Sequence, residues 1–193
     1  MNWFKQHLNW ALLLALPCFL LLSLIGCQTT APLTGVEVYN NTEYGFSVSY
    51  PLDWEVLEDV YPSGMGKTIT FFKEGAAAVY IYAWEPSEST LFVSLDDFYD
   101  RGVISGWQDH EGFKILEEHN TLVDQLPARE VTFVYKTTDL VWKYAVIAFL
   151  DTRDEKAITD SNAFKIIYDM PVAMFDNHYG DFRLIADTFT FTG

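Results

Sequence analysis

Phe46-Ser47-Val48-Ser49-Tyr50 alternates apolar and polar side chains with a period of two, and Pro51 ends the run. That spacing gives an extended strand one buried face and one wet face. Residues 68–72 and 78–84 are the next two predicted strands, joined by Lys73-Glu74-Gly75-Ala76 as a hairpin turn. Strands are also predicted over 114–121, 128–136 and 164–168, with Val131, Phe133 and Tyr135 on one face of the second of these. Residues 141–150 are almost continuously apolar, which places that strand at the centre of a sheet.

Two helices interrupt the series. Ser94 is suited to accept a hydrogen bond from the first turn of a helix, and Asp96 and Asp97 favour its positive end. Leu95, Phe98, Val103 and Trp107 form its apolar stripe, and Gly106 weakens its last turn. Pro171 is expected to open a second helix, where its missing N–H costs nothing, with Met174, Phe175, Phe182, Ile185 and Tyr179 facing inward and Gly180 interrupting. Strands joined by short turns imply antiparallel pairing. The expected fold class is therefore α+β: an antiparallel β-sheet flanked by helices, an α/β/α sandwich.

The amino-terminal end is organised differently. Residues 1–9 carry Lys5 and no acid, residues 10–25 are almost wholly apolar, and Leu24-Ile25-Gly26 leads directly into Cys27. This three-zone pattern is a targeting leader, to be set aside before fold reasoning. The apolar run is short for the roughly 20 residues that a spanning helix requires, and no small-x-small site precedes position 27. The expectation is a lipoprotein leader over 1–26, a lipidated Cys27 with its tether over 27–38, and one domain over 39–193. Two or three acyl chains on Cys27 would suffice for stable attachment. The anchored body would face the extracytoplasmic side of a cell membrane.

Charge narrows the partners. The chain has 12 basic and 27 acidic residues, a formal net charge of −15, and loss of Lys5 with the leader deepens it. A body so acidic repels nucleic acid and anionic lipid at distances within the Debye length, so nucleic-acid binding is excluded. Cys18 lies in the leader and Cys27 would carry lipid, so no disulfide is expected.

Residues 43–56, Glu-Tyr-Gly-Phe-Ser-Val-Ser-Tyr-Pro-Leu-Asp-Trp-Glu-Val, hold an aromatic-Gly-Phe strand, then Tyr-Pro, two residues and Trp54. In that pattern Gly45 permits a bend, Phe46 is buried, and Tyr50-Pro51 turns Trp54 back onto the sheet. The segment resembles the entry of the PsbP-like family, named after an extrinsic subunit of photosystem II. Leu126-Pro127-Ala128-Arg129 is similar to that family's Gly-Pro-Ala strand entry, with Leu126 in place of Gly. Asp187-Thr188-Phe189 is similar to its closing tail, with Thr188 in place of Ser. The likeness covers residues 39–191. It implies the α/β/α sandwich and a domain without catalytic activity that docks on a larger assembly, here another protein of the cell envelope. The matching residues are structural and assign no site.

Other motifs carry residue types suited to chemistry. Gly64-Met65-Gly66-Lys67-Thr68 resembles a phosphate loop, but Tyr61 stands where the first Gly is required and Thr68 begins a strand. Asp109-His110-Glu111 with His119, and Asp176-Asn177-His178 with Asp181, are groups of metal-ligand types; neither alone supplies the three or four ligands zinc takes. Asp151, Asp154, Glu155 and Asp160 share one connection that offers oxygens for Ca²⁺ or Mn²⁺ without an EF-hand spacing. Ser87, Ser89 and Ser94 lie in no Gly-x-Ser-x-Gly elbow. No catalytic residue, metal ligand or cofactor is assigned. Docking is the first expectation, binding of a small molecule or divalent cation the second, and an extracytoplasmic hydrolase the third. Tyr61, Trp84, Trp107 and Trp142 would mark a docking patch if two were exposed together.

Overall fold

The computed structural model describes residues 35–60, 66–86 and 92–192. The leader, Cys27, most of the tether, Tyr61, Gly64, Met65, Ser87 and Ser89 lie outside the described residues. Among those described, no helix is long and apolar enough to cross a membrane.

Among the described residues, ten strands and two α-helices follow the order β1 (Val36–Asn41), β2 (Phe46–Pro51), β3 (Glu55–Val60), β4 (Gly66–Lys73), β5 (Ala77–Trp84), α1 (Leu95–Gly102), β6 (Lys114–Val123), β7 (Leu126–Lys136), β8 (Val141–Leu150), β9 (Ala163–Pro171), α2 (Phe175–Asp187) and β10 (Thr190–Phe191). A seven-stranded sheet runs β3-β4-β5-β9-β8-β7-β6, and a three-stranded sheet runs β1-β2-β10. All pairings are antiparallel. The expected α+β architecture is present, with the small sheet sharing one side of the large sheet with α2.

Period-two alternation builds two cores on opposite faces of the large sheet. On one, Ile69, Phe71, Val79, Ile81, Phe164, Ile166 and Tyr168 pack against β2, Phe175, Phe182 and Ile185. On the other, Val131, Phe133, Tyr144 and Val146 pack beneath Phe98, Tyr99 and Val103.

The PsbP-like entry behaves as its sequence predicts. Gly45 has φ +62°, Phe46 is fully buried, and Trp54 is 4% exposed, its N–H donating to the Pro51 carbonyl at 3.0 Å. Leu126 needs no glycine because the β6–β7 turn falls one step earlier, on Asp124 and Gln125. Both have positive φ, at 46° and 68°, as a tight two-residue hairpin requires.

Several expectations need correction. Pro171 does not open a helix: it ends β9, paired with Trp142 of β8, where a missing donor costs little at a ladder's end. The helix starts at Phe175, and Met174 is 42% exposed. The central strand is β9, with β8 beside it; β8 is buried on both faces through most of its length, which its composition reflects. Strands β1 and β3 were not predicted, and β1 begins upstream of residue 39. Helix α1 ends at Gly102, so Trp107 lies beyond it and Tyr99 takes an inward place. A Cβ at 102 would stand 2.7 Å from the Phe98 ring.

Ser94 caps α1 as expected: the Asp97 N–H donates to its Oγ at 3.0 Å, and Asp97 Oδ2 accepts from the Val93 N–H at 3.1 Å. Ser94→Ala is expected to lower stability by about 1 kcal/mol, read as a lower urea midpoint at unchanged slope.

Candidate functional site

Alternation on β5 sends Val79, Ile81 and Ala83 into one core and leaves Tyr80, Tyr82 and Trp84 on the opposite face. The registers extend that face across the sheet. Leu57 pairs with Thr70, Thr70 with Tyr80, and Tyr80 with Ile167. Asp59, Thr68, Tyr82 and Lys165 make a second row, and Glu55, Phe72 and Ala78 begin a third.

Helix α1 covers this face over β7 and β8, where Phe98 and Tyr99 seat. Over β3, β4 and β5 the side chains stay partly open: Leu57 is 50% exposed, and Thr70, Phe72, Tyr80 and Tyr82 are half-buried. Tyr80 and Tyr82 lie 6.2 Å apart, and Tyr82 stacks on Trp84 at 5.6 Å. The result is an aromatic strip along β5, rimmed on β3 by the exposed carboxylates of Glu55 and Asp59.

Two ionisable groups of β9 border the strip. Lys165 donates to the Gly102 carbonyl at 2.8 Å and lies 4.6 Å from the Trp84 ring centre. Burial pulls its ammonium down to about 8. Asp169 sits across from Tyr144 in the β8–β9 register; burial pushes its carboxyl above the usual carboxylate range, against the opposing effect of the Tyr144 hydroxyl.

Asp169 also forms part of a cleft of about 430 Å³ with Tyr135, Asp139, Leu140, Trp142 and Tyr144. The Tyr135 and Tyr144 hydroxyls are 3.3 Å apart. Desolvation raises the Tyr144 phenol, with help from Tyr135 and Asp169.

The groups singled out in the sequence have other partners. His110 packs on Trp107 and Tyr135 at ring separations of 5.4 and 5.2 Å, and Glu111 accepts from Lys136 at 2.9 Å. His119 Nε2 is 3.5 Å from Glu130, which is buried and also accepts from Arg183 at 2.8 Å. His178 Nδ1 lies 2.8 Å from Asp181, beside the edge of Trp54. Asp151 is buried against Arg153, with Nε at 2.8 Å. Burial works to raise the Asp151 carboxyl, but the Arg153 hydrogen bonds and charge outweigh it and hold it below its usual range. Lys67, of the loop compared with a phosphate loop, pairs with Glu43 and Glu58 from within β4. Among the described residues, no three His, Cys, Asp or Glu side chains converge to hold a metal ion.

Sequence reasoning did not find Lys165 or Asp169. Lys165 lies inside the predicted strand over 164–168, where it alternates with Phe164 and Ile166 like any outward-facing position, and Asp169 lies one residue past that strand's predicted end.

No family model and no curated protein matches this chain. Among solved structures, it is similar to cyanobacterial PsbP from Synechocystis sp. PCC 6803, with a TM-score of 0.58 and 15% identity over 86% of this chain and 99% of that one. It is also similar to LpqN, involved in cell envelope biogenesis of Mycobacterium tuberculosis, with a TM-score of 0.57 and 10% identity over 82% of this chain and 91% of that one. At such identities the likeness is one of fold.

Proposed function

We propose that this PsbP-like domain is held by lipid on Cys27 at the extracytoplasmic face of a cell membrane, where it docks on another protein of the envelope without catalysing a reaction. The observation that carries the reading is the open strip of Leu57, Phe72, Tyr80 and Tyr82. Half-buried aromatic side chains bordered by carboxylates are a common composition for a contact surface. The acidic rim and the net charge of −15 favour a partner that presents basic residues around an apolar centre. The neighbour involved in cell envelope biogenesis supports the setting. The absence of a catalytic role is supported by the structural pairs that occupy Glu130, Asp151 and His178.

The test is co-purification from crosslinked cells through a carboxy-terminal tag after mild detergent extraction. A recurrent membrane partner is expected, and Leu57→Asp, an exposed change on the strip, is expected to reduce its recovery at least about tenfold. Recovery of the same partner at the same level with Leu57→Asp would overturn the assignment of this face. Cys27→Ser is expected to move the protein from the detergent phase to the aqueous phase. Retention in the detergent phase would overturn the lipid anchor.

A further inference from the structure

We infer that the cleft formed by the ends of β7, β8 and β9 binds a small organic cation of the alkylammonium class, with Asp169 as its counter-charge and Trp142, Tyr135 and Tyr144 as its walls. This goes beyond the docking reading and does not depend on it.

The argument begins with an acid in an unusual place. Asp169 lies on the face-alternating run of β9 that also carries Ile167, directly across from Tyr144, and its surroundings withhold water from it. A desolvated carboxylate needs a hydrogen-bond donor or an opposite charge. Here the hydroxyl of Tyr144 is the donor. The cleft lining, which includes Asp139 as a second acid, contains no lysine, arginine or histidine. The lysines on the flanking strands are engaged elsewhere: Lys143 points to the other face of the sheet, 4.1 Å from the Phe175 ring centre, and Lys136 donates to Glu111. The cleft therefore offers two acids and no cationic side chain of its own, a lining that suits a ligand carrying positive charge.

The walls decide which kind of cation fits. A hard ion such as Ca²⁺ takes six to eight oxygens, whereas three of the eight lining residues are aromatic and one, Leu140, is apolar, beside two threonines and two acids. Aromatic faces attract a diffuse, weakly hydrated charge such as a substituted ammonium. A volume of about 430 Å³ falls in the range of small-molecule sites. The mouth is open to solvent at Asp139 and Leu140, the latter 49% exposed, so entry requires no rearrangement of the strands.

The experiment titrates the full chain, solubilised in a non-ionic maltoside, with choline and separately with 3,3-dimethylbutan-1-ol, which has the same shape and no charge. Calorimetry and tryptophan fluorescence read the binding, with potassium chloride as the ionic-strength control. Choline is expected to bind saturably and the alcohol at least about tenfold more weakly, since the discrimination rests on one charge pair and cation–π contact. Asp169→Asn, which keeps the shape, and Leu140→Lys, which sets a positive charge at the exposed mouth, are each expected to weaken choline at least about tenfold. Leu140→Lys keeps the test decisive if the asparagine variant folds poorly. Equal binding of choline and the alcohol, undiminished binding in Leu140→Lys, or no saturable binding of choline would each overturn the inference. Leu57→Asp is expected to leave choline binding unchanged, so failure of the docking reading and failure of this one are separable.

Discussion

Phe164→Ala is expected to destabilise the domain by about 3–5 kcal/mol, the largest loss we expect from a single truncation. Phe164 is fully buried on the central strand β9. Its ring stacks on Phe149 at 5.2 Å and meets Phe46, Phe189 and Phe191 edge-on at 6.0, 5.8 and 5.6 Å. Those neighbours come from β8, β2, the link between α2 and β10, and β10 itself, so no single element can shift to fill the space, and unrelaxed cavities carry the highest cost. Domains of this size are stable by about 5–15 kcal/mol, so the variant would lose between about a fifth and all of that stability. Urea denaturation checks this: the midpoint should fall sharply with the slope unchanged. A loss below about 1 kcal/mol would mean that the aromatic cluster repacks, contrary to the rigid, multi-element packing described above.

Lys165→Met is expected to act in the opposite direction. The folded protein gives up the Lys165 proton near pH 8, whereas an unfolded chain holds it to about 10.4. Between these values the unfolded state binds more protons, so wild-type stability rises with pH across this window. The gain is on the order of 3 kcal/mol at most, because the Trp84 and Tyr82 rings and the Gly102 carbonyl favour the charged form and oppose the shift. Methionine keeps the aliphatic stem and removes the charge. The variant is expected to melt higher than wild type at pH 7 and to show no such rise between pH 8 and 10. Parallel profiles for the two proteins would show that the ammonium is well solvated by its surroundings.

What the sequence makes legible follows from which side chains meet the core. Strand β2 buries Phe46, Val48 and Tyr50 and alternates cleanly, so both its period and its turn to Trp54 could be predicted. Strand β3 lies at an edge and packs only Val56 against the core. Leu57, Glu58, Asp59 and Val60 are all exposed, so its sequence carries no alternation to detect. In β1 the pattern misleads: Val36 and Val38 face outward, while the polar-tipped Tyr39 packs its ring on Phe71 at 5.5 Å. Pro171 reads equally well as a helix opener or a strand terminus, and only its pairing with Trp142 decides between them. The aromatic strip was half visible, as Tyr80, Tyr82 and Trp84 alternate in plain view. Its importance depends on α1 covering β7 and β8 rather than β5, which depends on tertiary packing.

The small sheet imposes an order on how the chain reaches its native state. β2 is the middle strand of three, and one of its two neighbours is β10; Ser47 bonds to Thr190, 143 positions further along the chain, at 3.0 Å. The Phe191 N–H is taken by Asp124 at 2.9 Å, and its ring lies under the Arg153 guanidinium at 3.8 Å. A polypeptide delivered amino end first therefore holds β2 without this partner until β10 arrives, and such long-range closure is slow as well as late. Until then, Phe46 lacks the stacked ring of Phe189, which sits 4.8 Å away in the finished domain. The small sheet stays incomplete until β10 arrives, so its closure comes after every strand of the large sheet is available.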